Sequence, residues 1–538
     1  MKNGSYTRLL ACFAAFIMLV SVISGCSTTP NVTQTTTSTD QTTTVADVPT
    51  KPASWISDQP LKISWLFSDN ASCPYSPNWL VVQQIKKLTN VDVQFQVVPS
   101  TDYATKEKLL LNSGDVPDIF SQGSGNESEF MLNGIVVPIS DYMDKLPNLS
   151  NRISTLKLQS QIENLSMIDG KSYTLPKIEE SPMFQCGVAI RLDILSKYNL
   201  EVPKTYDDLY DIMMVMKQND PSSLPLTMFW GLPMVIDFMQ PSWGFRLVTG
   251  SDNVYYDWDK SSYEASATSP KLQSLLQYLN KCNKDGLFDP EIFTQDLDQW
   301  TQKMVSEKSF ITFCWSDQLP SINAAGQKNN PDFNLENVLP LSQSSSSDPY
   351  SLEIAQVNLG WGIPAADTKK PYFDDLLKFI DWFLYSDEGA MLTNWGVEGQ
   401  TYSVVDGKNA FSSELLSAAN GSSKQAQIQY GLFHNQFIGV MLRDRDLEYV
   451  GPKAAVITQQ MNDAGMFKAP APAPKFNVDE SEQISLQSAP IKDYVDKSMQ
   501  AFVQGSMDPT NDWDSFVKAV QDKGIQKIVD LYNSALKR

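Results

Sequence analysis

The sequence predicts an α/β protein with an open parallel sheet, divided into two or more lobes. Two observations carry this. From Leu61 the chain reads strand–helix–strand, a unit that normally gives a right-handed parallel crossover. After a polar N-terminal stretch about 485 residues follow, too many for one simple core. No internal repeat or heptad pattern competes.

The elements follow in order. Leu61, Ile63, Trp65 and Phe67 alternate at strand period. Trp79 to Asn90 places Val81, Val82, Ile85 and Leu88 on one helical face, and Val91, Val93, Phe95 and Val97 alternate again before Pro99. A second helix, 101–112, ends at Gly114, a residue suited to the left-handed position past a helix. Pro117 stops it and Ile119-Phe120 opens a strand. In such sheets ligands bind at the carboxyl ends of strands, so the loops 67–77 and 120–127 are placed there. The second, Ser121 to Asn126, has too few glycines for a dinucleotide fingerprint, and no helix pattern opens after it. Asp169-Gly170 marks a turn before a short strand at 173–176. Thr205 and Asp208 form a capping box ahead of Leu209, Ile212, Met213 and Met216, a row read as core. Ser269-Pro270 caps a helix with Leu272, Leu275, Leu276 and Leu279 inward. A buried strand is expected at 310–315 and an amphipathic helix at 374–386. Two terminal helices carry Trp513, Phe516, Val520 and Ile525, Ile528, Val529. Ala469 to Pro474 alternates Ala and Pro, a stiff connector.

The first 25 residues read as an export signal. Lys2 and Arg8 flank the apolar run Leu9–Ile23, too short for a comfortable span of about 20 residues. Ser24-Gly25 then leads into Cys26, which resembles the bacterial lipobox. In that signal the Cys becomes the first mature residue and carries diacylglycerol. The competing reading is a plain secretory signal with Cys26 incidental. Residues 26–54 are dominated by Thr and Ser and cannot bury enough surface to fold. They read as a tether that holds the body at the outer face of the cell membrane.

The net charge is −20, from 62 acids against 42 bases, which argues against nucleic acid and anionic headgroups as partners. Cys73, Cys186, Cys282 and Cys314 are too few for a disulfide framework and match no zinc spacing; free thiols are expected. The single His434 excludes His-rich metal sites. No G-x-S-x-G elbow and no Gly-rich lysine loop appears. Acid pairs are too common among the carboxylates to prove a glycosidase. No cofactor, metal or enzymatic activity is expected.

Six blocks in order carry a resemblance. Ser113-Gly114-Asp115-Val116-Pro117-Asp118-Ile119 is the first; Asp169-Gly170-Lys171-Ser172-Tyr173-Thr174-Leu175-Pro176 the second. Arg191-Leu192-Asp193-Ile194-Leu195 with Val202-Pro203-Lys204-Thr205 is the third, and Asp285 to Pro290 the fourth. Phe379-Ile380-Asp381-Trp382 through Gly389 and Asn394 to Tyr402 complete the set. Together they resemble the family-1 extracellular solute-binding lipoproteins of bacterial ABC importers, in the large oligosaccharide-binding branch of Gram-positive genomes.

The resemblance implies a two-lobe, type II periplasmic-binding-protein-like fold with the ligand in the cleft. It implies an N-lobe of 53–185 plus 317–398 and a C-lobe of 186–316 plus 399–538. It also implies a monomer that captures an oligosaccharide and delivers it to a permease pair served by a separate ATPase. Sugars need flat aromatics and fixed polar groups. Trp230, Trp243, Trp361 and Trp395 each precede a Gly, and Trp315 stands at an expected lobe crossing beside Asp317. Each Trp-Gly pair could equally be core. Trp79, Trp382 and Trp513 lie in helix patterns and read as core. Arg191, Glu398 and Tyr402 could bind hydroxyls or pin the hinge. Relatives can hold calcium in an acidic loop after the block at 205, but here Asp220-Pro221-Ser222-Ser223-Leu224-Pro225 offers one carboxylate, where calcium wants six to eight oxygens. Binding proteins for peptide, and a sensing role, stay open at this level.

Overall fold

The computed structural model describes residues 51–538 apart from 71–72, 124–126, 247–251, 348–349, 351, 419–422 and 433–436. The signal, Cys26, most of the tether and His434 therefore lie outside the described residues.

Strand β1 (Leu61–Asp69) pairs in parallel with β2 (Val91–Pro99), from Leu61 opposite Val91 to Asp69 opposite Pro99. The intervening helix Leu80–Thr89 buries Leu80, Val81 and Ile85 against them. The helix Ser100–Ser113 ends at Gly114, whose φ of 74° only glycine adopts cheaply. It leads into β3 (Ile119–Ser121), parallel to β1. A short helix, Glu127–Leu132, follows the next loop, contrary to expectation; six residues are too few to show a period. Strand β4 (Leu175–Glu179) begins two residues later than its sequence signal.

The chain then leaves this sheet. Strand β5 (Cys186–Arg191) becomes the centre of a second one. After a hairpin of β6 (Val254–Asp257) and β7 (Ser262–Ala265), strands β8 (Ile311–Trp315) and β9 (Leu335–Asn337) flank β5, both antiparallel to it. The helices Tyr206–Asn219 and Pro270–Lys284 cover it with Met213, Met216 and the four expected leucines, all at 1% exposure or less. The Thr205 capping box is present, with both hydrogen bonds 3.0 Å long.

After β10 (Leu352–Glu353) the chain returns as β11 (Val357–Gly362) and inserts between β3 and β4. It re-enters at the end from which β4 left, so it runs antiparallel to both. A hairpin of β12 (Tyr402–Val405) and β13 (Lys408–Phe411) follows; β14 (Val440–Met441) then adds in parallel beside β4. The first sheet reads β14-β4-β11-β3-β1-β2. A bent helix, Arg443–Asp463, and β15 (Phe467–Lys468), paired with β10, make the third crossing. Residues 469–477 form neither helix nor strand, and the helices Val478–Gln504, Trp513–Asp522 and Ile525–Ala535 finish on the second sheet.

The lobe boundaries differ from those expected. Leu319, Ile322, Phe333 and Leu335 pack with Ala189, Trp300 and Cys314, so the chain from 317 to 338 stays with the second sheet. Tyr402, Phe411, Leu415, Leu432 and Val440 join the core of the first sheet, so the described residues of 399–441 belong there. The pairings that decide this involve β9 and β14, of three and two residues. Such strands carry no period. Between the lobes sits a separate core of Met183, Phe184, Tyr350, Val450, Ile457 and Met461, drawn from all three crossings.

The first motif block is structural. Asp118 accepts hydrogen bonds from the Ser64 N–H at 2.6 Å, the Ser64 hydroxyl at 2.7 Å, Lys370 at 2.6 Å and Tyr372 at 3.0 Å. It ties β1 and β3 to the turn after β11. Trp79, Trp382 and Trp513 are core as expected.

Candidate functional site

Strand β4 ends at Glu179, and β5 begins at Cys186. The carboxyl edge of the first sheet therefore meets the start of β5. Strand β8 runs antiparallel to β5, with Trp315 opposite Cys186, so β8 delivers Trp315 to the same junction. Leu226 pairs in parallel with Ile311, and the segment that follows brings Phe229 and Trp230 to that end too. Their rings lie 4.1 Å apart, and both are half-buried. Trp315 is half-buried as well. Asp317, two residues on, accepts a hydrogen bond from the Tyr449 hydroxyl at 3.1 Å. The junction thus holds two part-exposed indoles with a carboxylate at hand, a pairing of flat apolar faces and fixed polar atoms.

The rest of the expected set lies elsewhere. Trp243 is 5% exposed and packs on Tyr206 and Tyr278 in the second lobe's core. Trp361 is 1% exposed, edge-on to Trp65 at 6.1 Å. Trp395 is fully buried against Phe411 and donates to Asp444. None of these three presents a free face. Arg191 is fully buried at the end of β5 away from the junction. It donates to both oxygens of Asp193, at 2.8 and 2.6 Å, and lies 3.8 Å from the Phe333 ring centroid. It pins the second lobe internally, because a buried guanidinium needs a bidentate partner. Tyr402 is 7% exposed, and Glu398 is exposed on the same hairpin segment.

The sequence reading missed a charged network beside Asp317. The crossing helix starts where the Arg443 N–H donates to Glu180 at 2.9 Å. Its first turn carries Arg445, which donates to Glu448 at 2.5 Å and to the Asn394 carbonyl at 3.1 Å. Asp446 is 2% exposed, and among the described residues its Oδ1 has no hydrogen-bond partner; the same holds for Nη2 of Arg445, 1% exposed. Glu179 is half-buried at the end of β4. Burial first, and the charge of Asp446 second, push its carboxyl up to about 7. Burial pushes Asp446 up to about 6, with Arg445 opposing. The alternating signs of Arg443-Asp444-Arg445-Asp446 were the available signal.

The loop after the helix Tyr206–Asn219 does not fit calcium. Asp220 spends its Oδ1 on the Ser222 N–H and hydroxyl, at 2.9 and 2.7 Å. The Ser223 carbonyl accepts from the Lys217 ammonium at 2.6 Å. One carboxylate and a resident cation do not make an oxygen cage.

Residues 81–409 match the profile of a family described as bacterial extracellular solute-binding proteins. The chain belongs to that family. Among curated relatives of this solute-binding protein is the fructooligosaccharide ABC transporter substrate-binding protein FusA of Streptococcus pneumoniae serotype 4. It is 24% identical over 357 residues, 61% of this chain and 62% of FusA, so less than two thirds of that relative is spanned. Lipoprotein LipO of Bacillus subtilis is 22% identical over 353 residues, 64% of this chain and 67% of LipO. Among solved structures, the alginate-binding protein AlgQ2 without calcium ion superposes with a TM-score of 0.71 at 23% identity, covering 91% of this chain and 100% of that one. That likeness establishes the two-lobe fold.

Proposed function

We propose that this solute-binding protein captures a carbohydrate, an oligosaccharide, in the cleft between its lobes and delivers it to an ABC importer. The carrying observation is the convergence of half-buried Trp230 and Trp315 with Asp317 where the two sheets meet. Sugar rings stack on such faces while carboxylates accept from hydroxyls. FusA and AlgQ2, whose names state sugar cargoes, support the class. The lobes close on ligand about the core of Met183, Phe184 and Tyr350. The closed monomer then docks on a permease pair powered by a separate ATPase. Cys26 carries the lipid, residues 26–54 form the tether, and LipO supports the anchor. The protein binds its cargo and leaves it chemically unchanged.

The test is thermal unfolding of the soluble body, from about residue 55 onward, against mono- and oligosaccharides, peptides and amino acids. A ligand at a hundred times its dissociation constant adds about 2.7 kcal/mol to the folded state. Stabilisation by one oligosaccharide class without product formation supports the reading. Stabilisation by peptides alone sinks the sugar assignment, and sugar cleavage would make the protein an enzyme.

A further inference from the structure

We propose that Asp289 is a positioning residue for the bound sugar: through Thr227 and Gln295 it fixes the segment that presents the Trp230 indole to the ligand. This rests on the sugar reading above and adds what holds its stacking face in place.

The chain leaves the second lobe's sheet just before the aromatic pair. Leu226 is bridged in parallel to both Phe288 and Ile311, and the Thr227 N–H donates to the Ile311 carbonyl at 3.1 Å. Residues 227–230 lie in no strand, so side chains take over from the ladder in satisfying the backbone. The Thr227 hydroxyl donates to Oδ2 of Asp289 at 2.7 Å. Nε2 of Gln295 donates to the Thr227 hydroxyl oxygen and to the Met228 carbonyl, both at 2.7 Å. That carbonyl belongs to the peptide bond leading into Phe229.

Asp289 lies in the fourth sequence block, and its side chain is fully buried. A buried carboxylate is costly unless its oxygens are met. Here Oδ1 accepts from the Glu291 N–H at 3.0 Å, and Oδ2 accepts from Lys303 at 2.6 Å as well as from Thr227. The charge makes the Thr227 bond stronger than one between neutral groups. The helix that carries Lys303, Leu297–Val305, also carries Trp300. The Trp300 ring lies 5.1 Å from that of Phe229, and its N–H donates at 3.0 Å to the Thr312 hydroxyl, on the strand that ends in Trp315. Phe229 in turn lies 4.1 Å from Trp230, which is only half-buried. A staple serving the core alone would end in buried chain; this one ends in a part-exposed ring. Rigid support behind an accessible indole is what stacking on a sugar requires.

The test labels the soluble body with 5-fluorotryptophan and compares D289N, T227V and T227S by fluorine NMR. W230L identifies the Trp230 line by its loss. D289N leaves Lys303 its other partner, Glu291, at 2.6 Å, and unliganded melting curves check folding. T227V removes the hydroxyl at nearly constant shape; T227S keeps it. The Trp230 line should shift or broaden in D289N and T227V and stay in place in T227S, while lines other than those of Trp230 and Trp300 hold. Isothermal titration with fructo-, malto-, xylo- and galacturono-oligosaccharides then reads binding. D289N should weaken the sugar that binds by about fivefold, and by much less in the W230L background, as for two residues of one network. A Trp230 line unmoved in both D289N and T227V overturns the proposal while sparing the sugar reading. So does an equal loss of affinity in both backgrounds, because the effect would then bypass Trp230. Failure of all these sugars to bind the wild type overturns both.

Discussion

Asp118 and Asp367 share one lysine, and the two carboxyls are driven in opposite directions. Lys370 lies 2.6 Å from Asp118 and 2.7 Å from Asp367. Burial works against the charge on Asp118, but the hydrogen bonds from Lys370 and Ser64 outweigh it and hold its carboxyl at about 2. Burial pushes Asp367 up to about 7, the Asp118 charge adds to this, and Lys370 opposes it. A carboxyl held low stabilises the fold above its unfolded value, and this is lost only as pH falls from about 4 towards 2. A carboxyl held high does the reverse: the fold loses stability as pH rises from about 4 through 7. Glu179 and Asp446 add to the second group. Urea unfolding at pH 5 and pH 8 should therefore show a less stable protein at pH 8. D367N, which removes one of these titrations, should lose less between the two values. Equal losses in the variant and the wild type would show that Asp367 is ionised throughout. Each unit of offset is worth about 1.4 kcal/mol, so the difference is measurable.

At the scale of elements, the crossing helix Arg443–Asp463 is the informative one. It bends at Gly451, with φ 84° and ψ 169°, directly before Pro452. Among the described residues a side chain there would touch nothing within 4 Å, so only the backbone objects. G451A should cost about 1–3 kcal/mol from strain alone, read as a lower urea midpoint with an unchanged slope; an unchanged midpoint would mean the bend relaxes. The same bend explains why this helix escaped the sequence reading. Pro452 breaks the periodic signal, as Pro490 does in Val478–Gln504. By contrast, elements fixed by local chemistry were legible: the Thr205 cap, the leucines after Pro270, the alternation from Leu61. The site was legible only in part. A Trp beside a Gly announces a turn but not which side the indole faces, so Trp243, Trp361 and Trp395 went to the core while Trp230 stayed half-buried. Glu179 and Asp446 lie 267 residues apart in sequence. No local pattern could pair them.

At the scale of the whole molecule, the lobes are joined by more than the three crossings. Lys475 belongs to the second lobe through its backbone, whose N–H donates to the Ala535 carbonyl at 3.1 Å. Its ammonium reaches the first lobe, donating to the Glu163 and Ser166 carbonyls at 2.5 and 2.7 Å and to the Ser166 hydroxyl at 3.0 Å. These oxygens end the helix Gln159–Asn164, where a cation also meets the negative end of the helix dipole. The neighbouring Asn164 side chain donates to the Ala471 carbonyl and accepts from the Ala473 N–H, so the Ala-Pro connector is held there too. Burial lowers the Lys475 pKa, with the Glu163 charge opposing; the contact is paid for in desolvation. A latch of this kind biases the angle between lobes, and a ligand that needs a particular angle feels the bias as affinity. K475M keeps the apolar stem and removes the donors. It should widen the distribution of lobe angles, seen as a larger radius of gyration in solution scattering without ligand. It should also weaken binding of the proposed oligosaccharide by several-fold, although Lys475 lies outside the proposed Trp230–Trp315 site. If ligand restores the wild-type radius in K475M, the loss of affinity is the free energy of closing an unlatched hinge. If radius and affinity are both unchanged, the three crossings alone set the angle, and Lys475 only caps a helix.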